Sequence, residues 1–146
     1  MRRLVITLAL ALVCSACASN TSKHTTTSTT RETHAISGSF LLRGTVDEDF
    51  YDLGNLGCAG SDGYDDVETG LQVKVSNEAG TVIGNGSLDL GEVTDDGCKF
   101  SFIVNNIPVA KFYKIEVGRR GELNYSYDEM KAAGWNVALS LGYRGS

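Results

Sequence analysis

Histidine is nearly missing from this sequence: His24 and His34 are the only two among 146 residues. Both stand in a Thr- and Ser-rich stretch ahead of the first strand-like run, so the folded part is expected to hold no imidazole. Imidazole is the side chain that titrates near neutral pH and the commonest metal ligand. Without it, Ser-His-Asp and Cys-His catalysis, zinc-hydrolase sites and His-ligated copper are excluded. Proline occurs once, at Pro108, which excludes a polyproline linker and leaves almost every strand-like run able to donate to a ladder. No Gly-rich phosphate loop of the nucleotide-binding kinds is present. No apolar run reaches the roughly 17 to 25 residues of a membrane-spanning helix. Basic residues are absent between Arg43 and Lys74. What chemistry remains rests on carboxylates, Lys and Tyr, and the expectation is that the protein is not an enzyme.

The N-terminus is what the sequence does have. Met1-Arg2-Arg3 precedes Leu4–Val13, an apolar run followed by small residues, the pattern of a signal peptide over residues 1–16. Ser15-Ala16-Cys17 resembles a bacterial lipobox, in which the Cys is acylated and becomes the new N-terminus. Cys14 stands where that motif usually has Leu or Val. The rival is ordinary cleavage after Ala16-Cys17-Ala18, which releases a secreted protein. The polar stretch that follows favours the lipid, because a tethered domain needs a spacer. Residues 17–36 therefore read as a disordered tether, since Ala18–Ala35 hold nothing large and apolar to bury. The expected location is the outer face of the cytoplasmic membrane, held through the Cys17 lipid.

Export also bears on the remaining cysteines. Cys14 leaves with the signal peptide and Cys17 is acylated or removed, so Cys58 and Cys98 are left as a pair in an oxidising compartment. A bridge between them closes a loop of about 40 residues and stabilises by roughly 4 kcal/mol on the chain-entropy view. Two separate buried thiols are the alternative. The chain has 13 basic and 18 acidic residues. Loss of Arg2 and Arg3 leaves 11 against 18, a net charge of −7. That balance argues against nucleic acid and against docking on anionic lipid by charge.

Over residues 37–146 a period of two dominates. Strand-like runs are Ser39–Val46, Leu71–Val75, Thr81–Leu90, Cys98–Val104, Lys111–Val117, Glu122–Tyr125 and Trp135–Tyr143, with turn residues between them. Trp135 falls in phase with the core positions of the last run. Ser126 with Glu129 forms a capping box for one short helix, near Tyr127–Ala133, which Gly134 stops. The pattern predicts an all-β fold: an antiparallel β-sandwich of six or seven strands, transthyretin-like or Ig-like, with one short helix and one disulfide.

Eight carboxylates lie between Arg43 and Lys74: Asp47, Glu48, Asp49, Asp52, Asp62, Asp65, Asp66 and Glu68. With Gly54, Gly57, Gly60 and Gly63 among them, this reads as loop. A solvated acidic loop is the plain interpretation. The sharper one is a Ca²⁺ site using Asp62, Asp65, Asp66 and Glu68, although EF-hand spacing is absent; no other cofactor is expected. A third is a surface for a basic protein partner, with Asp47, Asp49 and Tyr64 on it. Arg119 and Arg120, at a turn tip, read as solvated charge. Tyr64, Tyr125 and Tyr127 are expected to cover the ends of the sandwich.

The run from Gly70 to Gly118 (a V-x-V strand, Asn77-Glu78-Ala79-Gly80, a strand toward Gly91, an F-x-F strand, Pro108 and Phe112-Tyr113-Lys114-Ile115-Glu116-Val117) resembles transthyretin-like and carboxypeptidase-regulatory-like modules. The order Cys58, Gly63-Tyr64-Asp65-Asp66, Cys98-x-Phe100-x-Phe102, Arg120-Gly121-Glu122-Leu123, Gly134-Trp135 is similar to a family of exported actinobacterial proteins of no assigned function. These resemblances imply an envelope location and a β-sandwich, and no activity. The expected function is a non-catalytic binding or structural module that meets an envelope protein or cell-wall polymer. The alternative is a Ca²⁺-dependent carbohydrate or protein binder using residues 47–68; a carboxylate-only enzyme stands behind both.

Overall fold

The computed structural model describes residues 31–44, 46–52 and 55–142. The signal peptide, Cys17 and His24 lie outside these residues. Alternation of apolar and polar side chains makes strands because successive side chains in an extended chain point to opposite faces. Among the described residues ten strands and one helix form: β1 Thr33–Leu42, β2 Val46–Asp52, β3 Asn55–Gly60, β4 Gln72–Asn77, β5 Val82–Ser87, β6 Glu92–Thr94, β7 Gly97–Pro108, β8 Phe112–Val117, β9 Glu122–Ser126, α1 Tyr127–Ala132 and β10 Asn136–Leu141. The all-β sandwich with one short helix and one disulfide is therefore correct, but the count of six or seven strands is not. The extra strands include β2 and β3, where acidic residues and Gly had suggested loop; pairing with each other keeps them extended.

One sheet runs β10-β1-β7-β6 and the other β5-β4-β8-β9, with β2-β3 as a separate hairpin. All pairings are antiparallel except β1 with β10, which is parallel from Ser37 opposite Asn136 to Leu42 opposite Leu141. The inner faces carry the core. Ile36, Phe40 and Leu42 of β1, Cys98, Phe100, Phe102 and Val104 of β7, Val73 and Val75 of β4, and Tyr113, Ile115 and Val117 of β8 are all buried. Each large apolar side chain so removed from water contributes roughly 1.5 to 3 kcal/mol. The Cys58–Cys98 disulfide ties β3 to β7, with Cα atoms 5.8 Å apart.

The two long sides of the sandwich differ. On one, the sheets close on each other: Leu88 bridges to Phe102, and the Asp89 N–H donates to the Ser101 carbonyl at 2.8 Å. Gly84 and Gly86 of β5 make this possible. A methyl group on Gly86 would come within 2.6 Å of the Ile103 carbonyl oxygen, and one on Gly84 would overlap Ile107 Cδ1. On the other side, the edge strands β9 and β10 leave the core open.

The helix follows its sequence signals. Ser126 Oγ accepts from the Glu129 N–H at 3.2 Å, and the Glu129 carboxylate accepts from the Ser126 N–H at 2.7 Å. These bonds to Ser126 hold the Glu129 carboxyl below the usual range. Met130, fully buried, docks the helix on the core. Among the described residues no helix is long and apolar enough to cross a membrane.

Candidate functional site

Three places on the surface carry features that could meet a ligand or partner. The first is the acidic segment after β3. Its backbone is folded back on itself: the Gly60 N–H donates to the Val67 carbonyl at 2.7 Å, and the Val67 N–H donates to the Tyr64 carbonyl at 2.7 Å. Val67, fully buried, plugs the loop into the core. Arg120, from the turn between β8 and β9, then reaches across. Its Nε donates to Asp66 Oδ2 at 3.2 Å, its Nη2 to Asp66 Oδ1 and to the Gly63 carbonyl at 2.9 Å. Its guanidinium carbon stands 5.1 Å from the centre of the Tyr64 ring. The Arg120 hydrogen bond pulls the Asp66 carboxyl below its ordinary range, and Asp66 raises the guanidinium in return.

Arg120 is therefore a clamp, not the solvated charge that a turn tip suggests. It also changes the reading of the acidic candidates. Asp66 is engaged by Arg120, and Asp65 accepts from the Gly63 N–H at 3.0 Å. Asp62, Asp65, Asp66 and Glu68 are all exposed. Among the described residues no group of three or more His, Cys, Asp or Glu converges in a way that could hold a metal ion. Asp47 and Asp49 sit apart on β2, where Asp47 Oδ1 accepts from the Asp49 N–H at 3.0 Å.

The second place is the open side of the sandwich. A cleft of about 130 Å³ lies between the sheets, lined by Phe40, Ile115, Val117, Leu123, Leu139 and Leu141, with Arg120, Gly121, Glu122 and Ser140 completing it. Its geometry follows from the strand order. Leu123 faces the core side, opposite Ile115, yet it is 50% exposed because β9 is the edge of its sheet, with no strand bonded beyond it. Alternation along β9 and β10 is visible in the sequence, but which strands become edges is not. That choice leaves the cleft open, and no local pattern encodes it.

The third place is one end of the sandwich, where aromatic rings gather. His34 belongs to β1 and not to the tether, so the expectation of an imidazole-free domain fails; β1 begins inside the stretch assigned to the tether because Thr33 and His34 pair with Pro108 and Ile107. The His34 ring stacks on Trp135 with centroids 3.7 Å apart and planes 10° from parallel. Tyr127 and Tyr113 meet Trp135 edge-on at 5.7 and 5.5 Å. Trp135 lies before β10, not in it, and adopts φ +61°, an uncommon conformation for a bulky side chain. Tyr113 is buried and its hydroxyl accepts from the Ala110 N–H at 2.9 Å; burial pushes the phenol up. Tyr64, Tyr125 and Tyr127 pack against the core as partly buried side chains.

Compared with family models, curated proteins and solved structures, the chain matches none of them.

Proposed function

We propose that the mature protein is a non-catalytic module of the cell envelope: exported, acylated at Cys17, and presenting its sandwich to an envelope protein at the outer face of the cytoplasmic membrane. The observation that carries this reading is the apolar cleft between β9 and β10. An apolar recess with a few polar groups at its margin accepts a side chain of another molecule, and 130 Å³ has the scale of one large side chain. A hydrophobic lining favours a protein partner over a polymer of sugars. Glu122 is the one carboxylate in that lining, which does not supply the facing pair that a carboxylate enzyme needs. The Arg120 clamp on Asp66 supports the same view, since it removes a donor from the Ca²⁺ alternative.

The reading is tested on intact cells by placing a photo-crosslinking residue at Leu123 and, as a control, at Val93, which is exposed on β6 at the other side of its sheet. Capture of a discrete envelope protein from Leu123 and not from Val93 is the expected result. Identical products from both positions, or none from either, would refute it. The anchor is tested separately: Cys17→Ser should release the protein from membranes, and unchanged partitioning rules out the lipid.

A further inference from the structure

We propose that the turn between β7 and β8 docks the sandwich on the lipid bilayer, with Val109 and Phe112 entering the interface. This rests on acylation at Cys17 and goes beyond it, because it fixes which end of the domain faces the lipid. Val109 and Phe112 are large, apolar and about half exposed, at 48% and 49%, with only Ala110 and Lys111 between them. Apolar side chains enter lipid readily only where the backbone that carries them keeps its polar groups paired. This turn meets that condition at three groups. The Ala110 N–H donates to Tyr113 Oη at 2.9 Å, and the Lys111 N–H donates to Glu78 Oε2 at 3.3 Å. The Lys111 carbonyl accepts from the Tyr127 N–H at 3.0 Å. Pro108, just before the turn, has no N–H to satisfy. Tyr127 lines the same shallow recess as Val109 and Lys111. A ring with a polar tip and a Lys stem with its charge in water both suit the headgroup level.

Two features select lipid as the occupant. The first is where the N-terminal segment arrives. Thr33 pairs with Pro108, so the chain coming from Cys17 joins the sandwich beside this turn. Fully extended, the chain from Cys17 to Thr33 spans at most about 55 Å, and the end it joins is the one the anchor holds nearest the membrane. The second is charge. At this end Arg31, Lys111 and Lys131 stand against Glu32, Glu78, Asp128 and Glu129, a near balance. Asp62, Asp65, Asp66, Glu68, Asp95 and Asp96 lie at the opposite end, where β7 begins and the turn after β8 carries Arg120. The 12 residues of β7 alone separate the two ends by about 40 Å. That is several times the roughly 8 Å over which charge acts at physiological salt. Docking by Val109 and Phe112 thus keeps the acidic end away from the headgroups, whereas docking by the other end would press it onto them.

The test uses the full protein purified from membranes and reconstituted in phosphatidylcholine vesicles that carry a nitroxide-labelled lipid. With Cys58 and Cys98 bridged and Cys17 blocked by its lipid, Val109→Cys offers one free thiol for an environment-sensitive fluorophore. Val93→Cys, at an exposed position of β6 near the acidic end, is the control. The label at 109 should emit at shorter wavelength and be quenched by the nitroxide several-fold more strongly than the label at 93. Adding Phe112→Asp should remove most of that difference; the side chain it replaces is half exposed, so the fold is kept. Equal emission and quenching at 109 and 93, in protein whose mass shows the acyl chains, overturns the docking and leaves the anchor standing. Quenching at 109 that Phe112→Asp does not diminish overturns it too. A mass without acyl chains refutes the anchor, and the docking falls with it.

Discussion

Replacing Gly84 by Ala tests whether the closed side of the sandwich is set by contact between β5 and β7. The new methyl group would overlap Ile107 Cδ1 and come to 3.0 Å from Val104 Cγ1. Overpacking of this kind costs about 1 to 3 kcal/mol. Removing a strand glycine returns roughly 0.5 to 1 kcal/mol of chain entropy, so Gly84→Ala should destabilise by about 1 to 2 kcal/mol. Ile107→Val alone deletes Cδ1 from a fully buried side chain and should cost roughly 0.5 to 1.5 kcal/mol. In the double variant the deleted methyl is the one that collided. The remaining Ile107 contact, Cγ1, lies at 3.6 Å from the added group, which is ordinary packing distance. The 3.0 Å approach to Val104 Cγ1 remains, so Gly84→Ala with Ile107→Val should cost about 1 kcal/mol less than the two single costs added. Urea unfolding of the four proteins measures it. If the two costs add to within about 0.5 kcal/mol, β5 is not held against β7 as described. Gly86→Ala serves as the contrast, because its obstacle is the Ile103 backbone carbonyl at 2.6 Å and Ile107→Val should not rescue it.

Other expectations concern the disulfide, the Arg120 clamp, the helix cap and calcium. Replacing both Cys58 and Cys98 by Ala, which opens a loop spanning 40 residues, should cost roughly 4 kcal/mol, read as a lower urea midpoint. Asp66 has a depressed pKa in the fold, so its contribution is complete above the unfolded-state value and is lost as pH falls through the folded one. The stability gap between the unmodified protein and Arg120→Gln should therefore be a few tenths of a kcal/mol near neutral pH, since the pair is partly exposed, and should close in acid below about pH 4; a gap that widens in acid contradicts the pairing. Ser126→Ala should destabilise by about 1 kcal/mol through loss of the cap, checked by thermal unfolding. Millimolar Ca²⁺ should leave the melting temperature unchanged; a rise would restore the metal reading of Asp62, Asp65, Asp66 and Glu68.

Much of this architecture was legible because it is local. Val73 with Val75, and Cys98 through Val104, announce their buried faces by alternation, and Ser126 with Glu129 announces the helix by its cap. The pairing of Cys58 with Cys98 followed from counting. What could not be read depends on partners distant in sequence. Asp66 and Arg120 are 54 positions apart, so neither residue hints at the other. Acidic residues make β2 read as loop because Asp and Glu disfavour strands in isolation, whereas its pairing with β3 overrides that preference. His34 was hidden in a polar tract whose composition gave no sign of Trp135. The cleft beside Leu123 arises from strand order alone, and the alternation puts Trp135 in the last strand because its positive φ leaves no trace there.

The parallel pairing of β1 with β10 has a consequence for how the protein is made. Asn136 Nδ2 donates to Ser37 Oγ across 99 positions of sequence, so the strand delivered first waits for nearly everything after it before its sheet is complete. Contacts that span so much chain form slowly. During synthesis, which delivers residues in order, the β1 backbone stays unpaired on that side until Leu141 has emerged. Until then β1 carries an open edge, the kind of surface on which another extended chain pairs.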